Sequence, residues 1–205
     1  MPQPLRSVVV FDLGGVLIDW NPRHLYRKLF PGDPAAMEDF LATICTAAWN
    51  EGQDAGRSFA AATALLRAAH PGKAALVDAY FARWEEMLAG PIDGTVEILA
   101  ALRRRAVPVY ALSNWSAETY PVAQRRFAFL EWFHGIVISG EVGLVKPDPA
   151  IYRVLLERHG LAAADAVYID DVQRNVSAAS ALGFHGIHFT TPDALRRELA
   201  SLGLA

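Results

Sequence analysis

Apolar and polar positions divide the chain into two kinds of pattern. The first apolar run, Val8–Phe11, is β-branched and aromatic, ends at Asp12 and is soon followed by two glycines, which predicts a buried strand entering a tight turn. From Asn21 to about Ala89 the chain is instead rich in Ala, Leu, Arg and Glu, without a convincing strand. Glycine-containing turns punctuate this stretch and predict four helices, at residues 22–30, 34–49, 57–70 and 73–88.

Strand–helix alternation begins after Gly90-Pro91. Predicted strands at 107–112, 135–138, 166–169 and 185–189 alternate with predicted helices at 95–105, 117–127, 150–159, 175–182 and 193–202. Such alternation is typical of a parallel sheet with helices on both faces. We therefore predict an α/β fold, a Rossmann-like mostly parallel sheet, with a small all-helical cap inserted after the first strand. The expected domains are a core at 1–17 and 91–205 and a cap at 18–90.

Composition narrows the expected partners. Of the 205 residues 53% are hydrophobic and 20% charged, which is enough apolar material for a core. The net charge of −3 comes without a basic block, so we expect no nucleic-acid partner. No run approaches the ~20 apolar residues of a membrane helix. The lone Cys45 permits no intramolecular disulfide. We expect a cytoplasmic monomer or homodimer, without a membrane partner, that acts on a small-molecule substrate.

Reactive polar residues collect where the predicted strands end. Asp12, Ser113-Asn114 and Asp170-Asp171 each follow a strand, and Lys146 lies in a loop that leads into a helix. In parallel sheets, ligands bind beyond the carboxyl ends of the strands. Taken singly, these residues are common as turn formers, helix caps or exposed lysines. Their joint placement favours one functional site.

The combination suits phosphoryl transfer. Neighbouring carboxylates repel each other, and Mg²⁺ relieves that repulsion with oxygen ligands. An ionised carboxylate such as Asp12 can attack an electrophile, while Lys146 would neutralise charge on the nucleophile and the substrate. Ser113 and the backbone N–H groups after Asp12, at Leu13 and Gly14, would bind oxygens of the transferring group.

Four segments carry a family resemblance. They are Phe11-Asp12-Leu13-Gly14-Gly15-Val16-Leu17, Leu112-Ser113-Asn114, Gly143-Leu144-Val145-Lys146-Pro147-Asp148-Pro149 and Tyr168-Ile169-Asp170-Asp171. In this order they resemble the four signature blocks of the haloacid dehalogenase (HAD) superfamily. The helical stretch resembles the cap that this family places between its first and second blocks.

The resemblance implies roles at a magnesium site. Asp12 would be both the nucleophile and a metal ligand, and Gly14 would lend its backbone carbonyl to the metal. Asp171 is expected to bind the metal directly. Asp170 would act through water or as an orienting partner of the other groups.

Substrate contacts are also implied. Ser113 would hydrogen-bond the substrate, and Lys146 would pair with both Asp12 and the substrate. Asn114 and Trp115 directly follow Ser113, so both are expected to border the substrate pocket. Trp115 either walls this pocket or only packs apolar surface.

Gly14 departs from the family pattern. Family phosphatases usually carry a second Asp two positions after the nucleophile, as general acid and base, and glycine cannot transfer a proton. A water, a substrate hydroxyl or a cap residue would have to replace it. Two subgroups of the family also lack this Asp. L-2-haloacid dehalogenases use the same nucleophile without a metal, whereas members similar to α-glucose-1-phosphate phosphatase have a glycine in a related Asp-Leu-Gly block. The two carboxylates of Asp170-Asp171 are expected at a site that binds magnesium, so the sequence favours a phosphatase. This enzyme would hydrolyse a small, sugar phosphate-like metabolite through an aspartyl-phosphate intermediate. A dehalogenase and a weakly catalytic or non-catalytic binding protein remain alternatives.

A polar stretch of the predicted cap adds one more candidate feature. Glu51, Gln53, Asp54 and Arg57 lie close together and are accompanied by two glycines. Such a loop could reach over the site as a lid that excludes water. It could equally be an ordinary turn between helices.

Overall fold

The computed structural model describes residues 7–204. Its strands, in chain order, are β1 (Val8–Phe11), β2 (Ile18–Trp20), β3 (Leu88–Pro91), β4 (Val109–Ser113), β5 (Gly135–Ile138), β6 (Ala166–Asp170) and β7 (His185–His188). Five of them form a parallel sheet in the order β5-β4-β1-β6-β7. Strand β1 therefore occupies the centre, where Val9 aligns with Val109 on one side and Val167 on the other.

Eleven α-helices surround the strands within the described residues. They are α1 (Pro22–Leu29), α2 (Pro34–Thr43), α3 (Ala47–Asp54), α4 (Phe59–Ala69), α5 (Ala74–Ala82), α6 (Asp93–Arg104), α7 (Tyr120–Arg126), α8 (Ser139–Val142), α9 (Pro149–His159), α10 (Gln173–Ala181) and α11 (Pro192–Ser201). Short 3₁₀ turns occur at Pro71–Lys73, Trp84–Met87, Ala128–Trp132 and Ala163–Asp165. None of the described helices is long and apolar enough to cross a membrane.

Both faces of the five-stranded sheet are buried. Side chains of a strand alternate between the faces, so Val9 and Phe11 join one apolar cluster and Val10 joins the other. The first cluster includes apolar residues of α6 and α11, and the second includes those of α9 and α10. This burial explains the continuous apolar run of β1 and confirms the predicted α/β fold.

Helices α1 to α5 occupy the helical segment, residues 22–87, between β2 and β3. Side-chain oxygens of Asn21, Asp33, Thr46 and Ser58 accept backbone N–H groups at the starts of the first four helices. The interior of the segment is aromatic, with ring centroids 5.0 Å apart for Tyr26–Phe40 and 4.9 Å apart for Trp49–Tyr80. The segment therefore has local packing of its own.

Two element predictions for this stretch are wrong. The helix predicted at 34–49 is divided, because the Thr46 hydroxyl accepts the Trp49 N–H at 3.0 Å and starts a new helix there. The helix predicted at 73–88 ends at Ala82, and Leu88–Pro91 is the strand β3 instead. Strand β3 pairs antiparallel with β2, and each of these short strands is defined by its distant partner rather than by its own pattern. The predicted domain limits at 18 and 90 fall within this strand pair and stay a prediction.

Candidate active site

The sheet order brings the predicted residues to one edge. Asp12 directly follows β1, Ser113 ends β4 and Asp170 ends β6. Because β1 pairs in parallel with both β4 and β6, their carboxyl ends lie side by side. Lys146 reaches the same edge from the loop between α8 and α9. The structure thus brings together the three residues predicted to be catalytic.

The Asp12 carboxylate is held on three sides. Its Oδ1 accepts the Ser113 hydroxyl at 2.7 Å and the Leu13 backbone N–H at 2.7 Å. Its Oδ2 lies 2.8 Å from the Lys146 ammonium. Burial raises the pKa of Asp12 above its ordinary value and Asp170 adds to this effect, while Lys146 and the Ser113 hydrogen bond oppose it. The residue is 7% exposed, so a substrate can reach it only from the crevice side.

Lys146 is a buried cation between two carboxylates. Its Nζ lies 2.8 Å from Asp12 and 2.7 Å from Asp170. Burial disfavours the ammonium, but these two neighbours outweigh that effect and raise the pKa of Lys146, which therefore stays protonated at neutral pH. The Asn114 side chain fixes the Lys146 backbone, donating to its carbonyl at 3.0 Å and accepting its N–H at 2.8 Å. Asn114 thus positions Lys146, and its predicted contact with substrate stays a prediction.

The neighbouring residues Asp170 and Asp171 have different environments. Asp170 is fully buried, and both of its oxygens accept hydrogen bonds, from Lys146, Tyr168, Val172 N–H and Asn175. Burial opposes its ionisation, but the charge of Lys146 and these donors lower its pKa. Asp171 is more exposed, and burial together with Asp170 raises its pKa. Asp170 is therefore arranged to hold Lys146, whereas the Asp171 carboxylate accepts no hydrogen bond from another side chain within residues 7–204 and is better placed to bind another group.

Oxygen atoms of Asp12, Asp170 and Asp171 lie within 4.8 Å of one another. Three carboxylates at this spacing repel each other, and Lys146 provides one positive charge among them. A hard divalent cation with oxygen ligands would relieve the remaining repulsion. The donor set therefore fits magnesium, with Asp12 and Asp171 better placed than the fully hydrogen-bonded Asp170.

Gly15 makes room for Asp171. It has a φ of 74°, a conformation that L side chains rarely adopt, and a Cβ at this position would overlap the Asp171 carboxylate. A Cβ at Gly14 would instead meet nothing within 4 Å. The structure therefore requires glycine at position 15 but has space for a side chain at position 14.

We expect Gly15→Ala to lower the free energy of unfolding by about 1–3 kcal/mol, because of its positive φ and the displaced Asp171. Gly14→Ala should change it by less than about 0.5 kcal/mol, because its Cβ has space. Urea unfolding of both variants measures the difference. Equal losses in the two variants would contradict the role assigned to Gly15.

A crevice of about 470 Å³ extends from Asp12 towards the helical segment. Arg23 and Glu38 form an ion pair at its wall, as do Glu51 and Arg174 from opposite sides. The apolar part of the wall comes from β2, from helices α2 and α3 and from the connection between these two helices, with Trp20, Leu41, Ala42, Cys45 and Ala47. The crevice thus combines a charged floor with a partly apolar wall.

A smaller cavity of about 50 Å³ adjoins the crevice at Gly14. Trp115 lines this cavity and not the main crevice, and Leu13 is fully buried and lines neither. Their predicted substrate contacts stay predictions. In the polar stretch of the helical segment, Glu51 and Asp54 line the crevice. Arg57 does not line it, and its Nε donates a hydrogen bond to Gln53 Oε1 at 2.8 Å.

Two residues at the site were missed or left open by sequence reasoning. Tyr168 donates to Asp170 at 2.6 Å, and Asn175 donates to both Asp170 oxygens at 3.1 Å. Tyr168 could have been found, because residues two apart on a strand point to the same face. Asn175 follows Asp171 by four residues, a position that suits a helix cap as well as a place beside the site.

The comparisons with known proteins agree with this geometry. A family model described as haloacid dehalogenase-like hydrolase matches residues 7–183. The chain is 29% identical over 205 aligned positions to the sesquiterpene phosphatase astK of Aspergillus oryzae, covering 96% of each protein. It is 26% identical to a phosphoglycolate phosphatase of Photobacterium profundum, covering 89% of this chain and 82% of that one.

Solved structures of similar shape belong to the same group. A predicted HAD-like hydrolase from Porphyromonas gingivalis has a TM-score of 0.70 at 21% identity, covering 95% of this chain and 98% of that one. A HAD family enzyme from Bacteroides thetaiotaomicron, in complex with magnesium and inorganic phosphate, has a TM-score of 0.66 at 24% identity, covering 90% and 94%. These structures support the fold, and the family match covers most of the chain. This chain therefore belongs to the haloacid dehalogenase-like hydrolase family.

Proposed function

We propose that this chain is a magnesium-dependent phosphatase that hydrolyses a small phosphorylated metabolite through an aspartyl-phosphate on Asp12. The observation that carries the proposal is the Asp12 carboxylate, fixed between the Ser113 hydroxyl and the Lys146 ammonium at the floor of a crevice. A carboxylate held in this way is ready to attack phosphorus, with positive charge already in place for the transferring group.

Each residue around Asp12 has a separate role in the proposed reaction. An Asp12 oxygen attacks phosphorus, the bond to the leaving oxygen breaks, and water then attacks phosphorus to release phosphate and regenerate the carboxylate. Lys146 stays protonated and balances the charge that gathers on the phosphoryl oxygens. Ser113 now donates to Asp12 and would turn its hydroxyl to a phosphoryl oxygen in the complex. Asp170 and Asn114 keep Lys146 in position.

Asp12 and Asp171, with the Gly14 backbone carbonyl, would hold the magnesium. Their carboxylate oxygens lie within the 4.8 Å cluster, and Gly15 leaves Asp171 the space it needs. When bound, the cation neutralises charge on the phosphoryl oxygens and on the acidic cluster. Magnesium and phosphate in the Bacteroides thetaiotaomicron enzyme support this part of the proposal.

The helical segment is proposed to act as the cap that selects the substrate. It supplies most of the wall that faces Asp12, including the Arg23–Glu38 ion pair and the side chain of Leu41. A volume of about 470 Å³ suits a small metabolite such as a sugar phosphate. Its apolar portion also justifies testing an isoprenoid phosphate, because one relative is named a sesquiterpene phosphatase.

Metal removal tests the proposal. In the presence of magnesium, we expect phosphate release from a panel of sugar phosphates, phosphoglycolate, an isoprenoid phosphate and p-nitrophenyl phosphate. Excess EDTA should abolish this release, and added magnesium should restore it. Asp171→Asn should raise the magnesium concentration needed for half-maximal activity by at least about tenfold, because it removes a ligand. If the chain instead releases halide from a 2-haloacid and EDTA does not inhibit this release, the chain is a dehalogenase. A folded chain without either activity would favour a binding protein.

A further inference from the structure

The proposed reaction needs a proton donor and acceptor that the residues around Asp12 do not supply. Gly14, two positions after Asp12, has no side chain, although a Cβ there would meet nothing within 4 Å. The Ser113 hydroxyl is engaged with Asp12, and Lys146 holds its proton between two carboxylates. The leaving oxygen must nevertheless gain a proton, and the attacking water must lose one.

Asp54, the last residue of α3, faces this region from the helical segment. Asp54 is among the residues that line both the main crevice and the smaller cavity that Gly14 also lines. Glu38 and Glu51, the other crevice carboxylates of the helical segment, pair with Arg23 and Arg174. In the part of the chain that the structure describes, Asp54 forms no ion pair within 4.0 Å, so its carboxyl is available for proton transfer.

Asp54 is fixed from two sides. Asn50 donates to its Oδ2 at 3.0 Å, and the Tyr80 hydroxyl in turn donates to Asn50 at 3.0 Å. The backbone carbonyl of Asp54 accepts the Ser139 hydroxyl at 2.6 Å, which ties the end of α3 to the carboxyl edge of the sheet. A group held in this way keeps its position relative to Asp12 as well as to the helical segment.

The smaller cavity has the size and polarity for a water molecule. Its volume of about 50 Å³ exceeds the roughly 10–15 Å³ that one water requires on this measure. Asp54 and Asn50 line it, and so does Trp20, whose buried indole N–H has no partner among the described residues. Unpaired buried donors are uncommon, so this N–H is a second indication that a ligand or water oxygen binds here.

We propose that Asp54 is the general acid and base of the reaction, acting from the helical segment in place of a side chain at Gly14. This inference rests on the proposed phosphatase function. In the first step Asp12 bonds to phosphorus, the bond to the leaving oxygen breaks, and the Asp54 carboxyl gives its proton to that oxygen. In the second step the Asp54 carboxylate takes a proton from the water that attacks phosphorus, the bond to Asp12 breaks, and phosphate leaves. Asp54 is then protonated again, and the sum is a phosphoric ester plus water giving alcohol and phosphate.

The ionisation of Asp54 is compatible with both steps. Burial raises its pKa to about 7 and Glu51 adds to the rise, whereas a hydrogen bond from the Ser116 backbone and the charge of Lys146 lower it. Tyr80, from α5, also faces Asp54, and its own raised pKa keeps it neutral. Both forms of Asp54 are therefore populated near neutral pH.

The test compares Asp54→Asn with Asp39→Asn, which removes an exposed carboxylate of α2, in the magnesium-loaded full chain. The probes are p-nitrophenyl phosphate and phenyl phosphate, which have similar shapes but leaving groups of different basicity. Asp54→Asn should lower kcat by about 10²–10⁴-fold, as for loss of a general acid and base, and Asp39→Asn should not. The loss in kcat/KM should be greater for phenyl phosphate. With p-nitrophenyl phosphate, Asp54→Asn should release one equivalent of nitrophenol rapidly before slow turnover.

The pH profile and two further variants separate catalysis from structure. The wild-type kcat/KM should fall as pH rises through the pKa of Asp54, because the acid must be protonated, and this limb should be absent in Asp54→Asn. Asp54→Glu should retain part of the activity and the limb. In Asp54→Asn, adding Gly14→Asp should recover turnover, since Gly14 has space for a side chain.

The outcomes distinguish the two proposals. Suppose that the wild type releases phosphate and loses this activity without Asp12. If Asp54→Asn then has the wild-type kcat, the wild-type dependence on the leaving group and the same fall of kcat/KM at high pH, Asp54 is not the acid and base. An equal loss of kcat/KM for both probes, with the same fall at high pH as in the wild type, would indicate a structural effect of the substitution and would also overturn the inference. Failure of the wild type to release phosphate from any probe would count against the proposed function itself.

Discussion

Asp12→Asn is expected to lower kcat by at least about 10⁴-fold, the scale seen when a nucleophile is removed, while the protein stays folded. The amide has nearly the same shape but no charged oxygen with which to attack phosphorus. Lys146 keeps Asp170 as its partner, so no buried cation is left alone. Steady-state phosphate release, with Asp39→Asn as the control, measures the loss.

Stability separates this loss from misfolding. Burial raises the pKa of Asp12, so its ionised form is unfavourable in the folded chain above the ordinary carboxyl pKa. Without metal, Asp12→Asn should therefore unfold at the same urea concentration as the wild type or at a higher one at pH 8. An active Asp12→Asn variant would exclude the aspartyl-phosphate. A variant that is inactive because it is unfolded would leave Asp54→Asn and the EDTA titration to decide the mechanism.

Lys146→Met is expected to lower the free energy of unfolding by about 3–5 kcal/mol in the presence of EDTA, as for other broken buried ion pairs. The side chain of Lys146 is 1% exposed and lies between Asp12 and Asp170, which would face each other without a cation. Urea unfolding at pH 8 measures the effect. The loss should be smaller at pH 5, because protonation of Asp12, whose pKa is raised, removes part of the repulsion.

Lys28→Met is the matched control for this experiment. Lys28 makes the same kind of ion pair, with Glu86 at 2.8 Å, but its side chain is 56% exposed. Exposed pairs contribute about 0–1 kcal/mol, so this variant should stay near the wild type. Equal stabilities of the Lys146 and Lys28 variants would show that the buried cation is not what holds the acidic cluster together.

The floor of the site could be predicted because it depends on strand order alone. Asp12 follows β1, and Ser113 and Asp170 end the two parallel strands beside it, so their proximity follows once the fold class and its strand order are known. The same argument could not separate Asp170 from Asp171. That distinction depends on which carboxylate points to Lys146 and Tyr168, and this is decided by side-chain packing.

The wall of the site could not be predicted in the same way. The position of Asp54 at the cavity that Gly14 also lines depends on how the helical segment packs against the sheet edge, through contacts such as the hydrogen bond from Ser139 to the Asp54 carbonyl. Strands β2 and β3 were missed for a related reason, because Asp19 and Gly90 pair across a long insertion. The pattern within each segment carries little information about such distant contacts.

The central position of β1 has a consequence for the order in which the molecule is assembled. Val9 pairs with Val109 and Val167, so β1 is synthesised about 100 and 158 residues before the two strands that pair with it. The helices of the insertion are close in sequence and can form early, whereas pairing across long loops is slow. During synthesis the apolar β1 therefore stays exposed until β4 emerges, and the edge that carries Asp12 is among the last parts of the fold to form.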